Sequence, residues 1–536
     1  MATKEQSKEM TRRQFLNTVG KLGGSVAVFS LMGTMGLLTP QTLKAAEFTP
    51  PGRNDLQLSG RTGQKIIILG AGIAGLTAAY ELGLAGYDCT LLEAKGHAGG
   101  RCWTIRKGTA ASEIGTGLQI ARFDNDPGLY FNAGPMRIPQ FHVTMEYCRT
   151  LGVAIEPFNN VNESGYYYNE NAGPLSGQRV PKRAAKADMR GYVAEMLAKA
   201  VDQKALDLPL GPEEKAKLVE YLRAEGDLSP DLFYKGSSRG GYKTEPASRL
   251  DAGVRRDPFD LKSIVNSGFG NYFSNEYSYD QQMLMFHPVG GMDAIVKAFE
   301  KHVGDRIKYR TEVQEIRQSA SGVRVVYKDL ATKQEHEIAG DYCICTIPLS
   351  VLKKIPADFS PDMAKAINST RYASAGKIGL QFKRRFWEED EHLYGGSSLT
   401  NMDITQIYYP SNDYFSKKGI LLGYYAYGGI ADKLGGMSYQ EREKLALTQG
   451  AKIHPQYMKE FDASFSIDWK RVPYQEGGWV SYSADDRQTF YKTLCKPDNR
   501  IYLAGEHISY ITAWQAGAME SARVVVSDLH QRVMQA

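Results

Sequence analysis

Two short stretches hold residue types whose spacing suits chemistry. In GAGIAG, Gly70 to Gly75, glycines stand at the first, third and sixth positions, and Glu93 closes the next apolar run. That pattern fits a dinucleotide: Gly70 permits a tight turn, Gly72 lets a pyrophosphate reach the backbone, and Gly75 lets a helix pack closely on a strand. The helix start supplies partial positive charge for phosphates. Glu93 can accept hydrogen bonds from a ribose diol and disfavours a 2′-phosphate. In NAGPMRIP, Asn132 to Pro139, a permanent cation, Arg137, sits in an apolar run stiffened by Pro135 and Pro139. A guanidinium is a planar fork that fits a carboxylate bidentately. Holding it in an apolar site is costly until an anion arrives, and losing such a buried charged hydrogen bond costs about 2–5 kcal/mol. Arg137 therefore reads as a carboxylate receptor or as half of an internal ion pair.

Elements must hold these residues in place. KIIIL is a continuous apolar run, as in a strand buried on both faces. A helix follows to about Ala85, then a second strand from Cys89 to Glu93, which makes a βαβ unit. Ile307 to Tyr327 predicts two alternating strands around Ser321-Gly322. Asp341 to Ile347 and Arg500 to Ala504 predict further buried strands, and a helix is expected from about Ala516 to Val533. Residues 181–230 are helical in period, 231–285 are irregular, and 370–430 alternate apolar and aromatic residues as antiparallel strands do.

The chain of 536 residues is long enough for two or three domains, and its net charge of +5 comes with no dense Lys/Arg cluster, which argues against a nucleic-acid partner. The N-terminus reads TRRQFLN, then a soft apolar run from Leu22 to Leu38, then LKAAEF. A charged start, an apolar middle and small residues describe an export signal over 1–46. Arg12-Arg13 resembles the twin-arginine type, which carries folded, cofactor-loaded proteins to the periplasm or outside. The run is short for a membrane span, so stable insertion is not expected. The six cysteines form no CxxC or metal spacing, and one disulfide is conceivable in an oxidising compartment. His97, His287 and His507 show no carboxylate or serine partner in sequence, so no hydrolase triad is read.

Beyond the glycine turn, HAGGRCWT (His97 to Thr104), PVGGMDAIV (Pro288 to Val296), CTIP (Cys345 to Pro348) and LAGEH (Leu503 to His507) resemble the flavin amine oxidases from about Gln64 to the C-terminus. The resemblance implies an α/β fold: a Rossmann-like FAD-binding domain (61–105, 286–368 and 495–536), an inserted antiparallel-sheet substrate domain (106–180 and 369–494) and a helical insertion (181–285). It implies non-covalent FAD, since Trp479 stands where covalently flavinylated relatives carry cysteine. The implied FAD contacts are Gly70, Gly72, Ala74 and Gly75, Glu93 and Ala94, Gly100 with Arg101 on the pyrophosphate, Pro135, Met136 and Arg137, Val313 at the adenine, Gly505 and Glu506, and Trp514 beside the flavin ring. NAGPMR and AYGG resemble the L-amino-acid oxidases of bacteria and snake venoms, which implies Arg137 and Tyr427 on the substrate carboxylate. Lys377, in SAGKIGL, matches the family's water-holding lysine, and Trp514 and Trp479 wall the substrate. Tyr408, Tyr409, Tyr424 and Tyr425 suggest an apolar or aromatic side-chain pocket. The implied reaction turns an L-amino acid and dioxygen into a 2-oxo acid, ammonia and hydrogen peroxide, in an enzyme that is commonly a homodimer. Three alternatives stay open: an amine oxidase whose substrate lacks a carboxylate, an amino-acid monooxygenase, and a flavin-bearing binding or electron-transfer protein.

Overall fold

The labelled elements run β1 (Lys65–Leu69), α1 (Ile73–Leu84), β2 (Asp88–Glu93), α2 (Asp293–Val303), β3 (Ile307–Tyr309), β4 (Tyr342–Cys345), β5 (Ala375–Phe382), β6 (Gly419–Tyr427), β7 (Phe461–Asp468), β8 (Ile501–Leu503) and α3 (Gln515–Gln535). This is a computed structural model that describes residues 56, 58, 60, 63–204, 210–274 and 278–535. The export segment read over 1–46 lies outside the described residues. Residues 51–536 cluster as one compact unit.

Five strands form a parallel sheet in the order β3-β2-β1-β4-β8. The run IIIL explains why β1 is central. Successive side chains point to opposite faces, and both faces are covered. Ile66 and Ile68 pack with Leu76 and Leu82 of α1, Phe299 of α2 and Met519 and Leu529 of α3. Ile67 and Leu69 pack on the other side with Val313, Val325 and Leu349. Every strand of this sheet meets the nucleotide side at its C-terminal end, where ligands bind in open α/β sheets.

The predicted two-stranded unit over 307–327 is divided differently. Ile307–Tyr309 joins the parallel sheet, and Arg310 breaks the chain with φ of 57°. The hairpin then forms from Thr311–Gln318 and Val323–Asp329, with Glu335–Gly340 as a third strand that the sequence reading did not assign.

The second large sheet has seven strands, in the order β7-β5-β6, Gln406–Tyr408, Ser397–Thr400, Tyr166–Tyr168 and Val180–Pro181. It is antiparallel except where Ser397–Thr400 runs parallel to Tyr166–Tyr168. All eight residues of β5 are buried, which fits its place between two neighbours. Within 181–285, the helices Lys182–Asp202 and Pro212–Gly226 dominate. The fully buried Asp188 ties this region together: it accepts from Tyr234 Oη (2.7 Å), from Arg256 Nη2 (2.5 Å) and from the Phe259 amide (2.8 Å). No helix among the described residues is long and apolar enough to cross a membrane. All six cysteines are free, so the conceivable disulfide is absent.

Candidate active site

A cavity of about 550 Å³ opens at the C-terminal ends of β1, β2 and β4. Its floor is the turn between β1 and α1. Gly70 takes φ of +95° there, a conformation that side chains rarely adopt. A Cβ on Gly75 would lie 2.0 Å from the Gly70 carbonyl oxygen, so only glycine lets α1 start this close to β1. A Cβ on Gly72 would meet no atom within 4 Å; it would stand in the open cavity. No side chain caps α1 at Gly72, so its first amides are available to an anion. Glu93 ends β2 and is held by two amides, Ala71 to Oε2 and Lys95 to Oε1, both 2.8 Å. Burial raises its carboxyl pKa, and those two amides oppose the rise.

Arg101 reaches into the same space. Its Nη1 donates to the Gly478 carbonyl (2.7 Å) and pairs with Glu506 Oε1 (2.9 Å). The other oxygen of Glu506 is buried and has no partner. An uncapped helix, a glycine whose side would fill the void, and an orphaned buried carboxylate oxygen together fit a large polar ligand with an anionic centre and hydroxyl groups. That description suits FAD. Gly505 bends into this site with φ of 150°. Burial and the charge of Arg101 push the neighbouring His507 down to about 3.

The cavity lining contains Gly70, Gly72, Ala74, Glu93, Ala94, Gly100, Arg101, Pro135, Val313, Gly505, Glu506, Trp479 and Trp514 from the sequence reading. Gly75 lies behind the lining and acts through packing. Met136, Arg137, Lys377 and Tyr427 are also outside the lining, and the last three gather beside it.

Arg137 is the centre of that second group. Gly134 fixes its loop, because a Cβ there would fall 1.9 Å from the Arg101 carbonyl oxygen. The Arg137 guanidinium lies 5.4 Å from the Tyr408 ring centre, and its Nη2 donates to Gln281 Oε1 at 3.0 Å. Its Nε is buried without a hydrogen-bond partner. Among the described residues no carboxylate pairs with it; its nearest electrostatic partners are the phenols of Tyr408, Tyr427 and Tyr425. Tyr427 is 39% exposed as a residue, but its hydroxyl end is desolvated, which raises its phenol well above its ordinary value. The Tyr427 ring packs 4.4 Å from Tyr425 and 5.6 Å from Trp479. Tyr425 and Trp479 also line the large cavity, so the two spaces adjoin.

Lys377 sits on β5 almost fully buried. Its Nζ bonds the carbonyls of Asn132 (3.3 Å) and Gly134, and lies 4.2 Å from the Tyr425 ring centre. Burial, and then the charge of Arg137, hold its ammonium well below the usual lysine range.

Of the four tyrosines expected near the site, Tyr408 lies against Arg137, and Tyr425 lines the cavity beside Lys377. Tyr409 and Tyr424 belong to the core on the opposite face, and Tyr409 bonds Ser398 Oγ (2.6 Å) and His454 Nε2 (2.7 Å) there. Strand alternation separates each adjacent pair. The sequence reading missed Trp469, which lines the cavity and donates from Nε1 to the Ala133 carbonyl at 2.9 Å. It also missed Gln281. Trp469 follows directly on β7, in which Phe465 and Ile467 alternate with Ser466 and Asp468, and that alternation was the available signal; Gln281 had none. His287, read as lacking a carboxylate, faces Glu156 across a strand pair at 3.6 Å. Among the described residues no group of His, Cys, Asp and Glu could hold a metal ion.

The sequence model of flavin containing amine oxidoreductases matches residues 73–530. The L-amino-acid oxidase of Bothrops pauloensis is 27% identical over 506 residues, covering 90% of this chain and 92% of its own. That of Gloydius blomhoffii is 28% identical over 512 residues, with the same two coverages of 90% and 92%. Among solved structures, the cyclohexylamine oxidase of Brevibacterium oxydans IH-35A superposes with a TM-score of 0.59 at 16% identity, over 88% of this chain and all of that one (100%). Putrescine oxidase bound to putrescine gives 0.55 at 15%, over 89% and 100%.

Proposed function

The chain belongs to the flavin containing amine oxidoreductases and is an FAD-dependent enzyme, and on that premise we propose that it oxidatively deaminates L-amino acids. The observation that carries this reading is Arg137: a half-buried side chain whose Nε is buried without a partner, with no carboxylate paired to it among the described residues. A substrate carboxylate would complete it. Tyr427 would add a phenol hydrogen bond to the same group, and the pair would fix the Cα–H at the edge of the cavity, which is catalysis by positioning. A plain amine leaves Arg137 unpaired, which is the source of selectivity.

The lining residues Gly70, Gly72, Ala74, Glu93, Arg101, Val313 and Glu506 would hold FAD without a covalent bond; tryptophan at Trp479 offers no thiol. When bound, the flavin would supply hydride acceptance, with dioxygen as the final oxidant and hydrogen peroxide as its product. The substrate ammonium must first lose a proton. Lys377, whose ammonium form is disfavoured by burial and by the charge of Arg137, would assist that loss at Nζ through a water. Tyr408, Tyr425, Trp479 and Trp514 would wall the pocket, favouring apolar or aromatic side chains. The released imino acid hydrolyses to a 2-oxo acid and ammonia.

We extend the proposal to two organisational points. The division into FAD-binding (61–105, 286–368, 495–536), substrate (106–180, 369–494) and helical (181–285) parts is supported by the separate parallel and mixed sheets. Export through residues 1–46 is supported by Arg12-Arg13 and the soft apolar run after them.

The test is a peroxide assay on the purified yellow protein with the twenty L-amino acids, their D-isomers and the matched amines. The proposal expects peroxide with apolar or aromatic L-amino acids and little with amines such as phenethylamine. Activity on the amines alone would replace it with a carboxylate-free amine oxidase. An amide in place of the 2-oxo acid would make the enzyme a monooxygenase.

A further inference from the structure

The segment Ser278 to Met283 crosses the Arg137 loop, and its anchors hold it from both sides. Gln282 Oε1 accepts from the Gln140 amide (2.9 Å), and the Gln282 carbonyl accepts from Asn160 Nδ2 (3.1 Å). The Met283 carbonyl accepts from the Asn160 amide (2.9 Å). Asp280 meets His142 Nε2 at 3.2 Å, and His142 stands edge-on to Trp514 with ring centres 5.2 Å apart. Gln281 therefore has a fixed backbone. Its side-chain oxygen accepts from Arg137 Nη2 at 3.0 Å and from Asn160 Nδ2 at 3.4 Å. Two donors converging on one atom set the orientation of the amide, with oxygen toward the guanidinium.

The chemistry of that contact is specific. An amide oxygen satisfies one N–H of a guanidinium without cancelling its charge. A carboxylate in the same place would cancel it and form an internal ion pair. The surroundings hold no other compensation among the described residues: Lys377 is pressed toward its neutral form, and Tyr408, Tyr425 and Tyr427 are phenols.

We infer that Gln281 is a specificity-determining residue: a neutral placeholder on Arg137 that yields its position to an incoming carboxylate and keeps the site cationic until one arrives. This rests on the reading of Arg137 as the carboxylate receptor. Two consequences follow. Removing the placeholder leaves Arg137 less satisfied in the free enzyme, so a carboxylate binds more tightly. Making it anionic fills the receptor from within, so a carboxylate binds less tightly.

The experiment uses the FAD-loaded enzyme and follows the flavin spectrum during titration with 3-phenylpropanoate, with the neutral 3-phenylpropanamide as matched probe. Gln281→Leu is expected to tighten 3-phenylpropanoate binding by about threefold or more, and Gln281→Glu to weaken it by about tenfold or more, each with amide binding unchanged. An unaltered unliganded flavin spectrum checks that each variant is intact. If the wild type binds 3-phenylpropanoate, Arg137→Ala does not, and both Gln281 variants match the wild type, the placeholder inference is overturned while the receptor stands. If Arg137→Ala binds 3-phenylpropanoate as the wild type does, the receptor reading itself falls.

Discussion

Arg137 and Tyr427 stand on different elements, one in a proline-stiffened loop and the other at the end of β6, yet each perturbs the other's ionisation. A hydrogen bond to a charged group contributes about 1.5–3 kcal/mol. Tyr427→Phe is therefore expected to raise KM for the best L-amino acid by about tenfold or more, with the flavin spectrum unchanged; steady-state kinetics with varied substrate measures this. An unchanged KM would remove Tyr427 from the carboxylate site. Arg137 stood out in sequence as a permanent cation inside an apolar run, whereas Tyr427 was singled out only through the resemblance of AYGG to the L-amino-acid oxidases. Gln281 was not legible. A glutamine in a polar stretch carries no signal until the fold lays it on the guanidinium.

The turn between β1 and α1 shows what an element contributes. Its glycines look alike in sequence but do different work. Gly75→Ala pushes a methyl into the Gly70 carbonyl at 2.0 Å, and overpacking of this kind costs about 1–3 kcal/mol. That variant should melt earlier as the apoprotein and purify with little flavin. Gly72→Ala meets no protein atom within 4 Å, so its apoprotein should melt like the wild type while FAD affinity falls by about tenfold or more. Melting curves with and without added FAD separate the two. Equal behaviour of both variants would contradict the division of roles. The βαβ unit itself was readable because a run buried on both faces, a glycine turn and an acid at the next strand end occur in order. The break at Arg310 was not readable: only the parallel pairing of Ile307–Tyr309 with β2 reveals that this stretch belongs to another sheet. Tyr409 and Tyr424 mislead for a related reason, since a tyrosine-rich strand does not state which face meets the ligand.

Taken as a whole, the molecule buries ionisable groups whose effects on stability oppose one another. Burial pushes His287 down to about 4. Its unfolded value is near 6.5, so the unfolded chain binds the extra proton between those two pH values. The stability this neutral imidazole contributes is complete above pH 6.5 and is lost as pH falls toward 4. Asp468, raised to about 6, and Glu520, raised to about 7, act in the opposite sense: their contribution is present at low pH and fades as pH rises through those values. These contributions overlap in pH, and single variants expose the parts. His287→Gln should lose less stability than the wild type between pH 7 and pH 4.5, by on the order of 2 kcal/mol at about 1.4 kcal/mol per pKa unit. Parallel melting profiles would contradict the buried neutral histidine. The most direct test of the whole account concerns selectivity. Anaerobic flavin reduction by L-phenylalanine and by phenethylamine, compared in wild type and Arg137→Ala at equal flavin content, reads whether the guanidinium chooses the substrate. The account predicts that the wild type strongly prefers L-phenylalanine and that the variant loses about 2–5 kcal/mol of that preference, with the amine rate barely moved. An L-phenylalanine preference that survives intact in Arg137→Ala would contradict it.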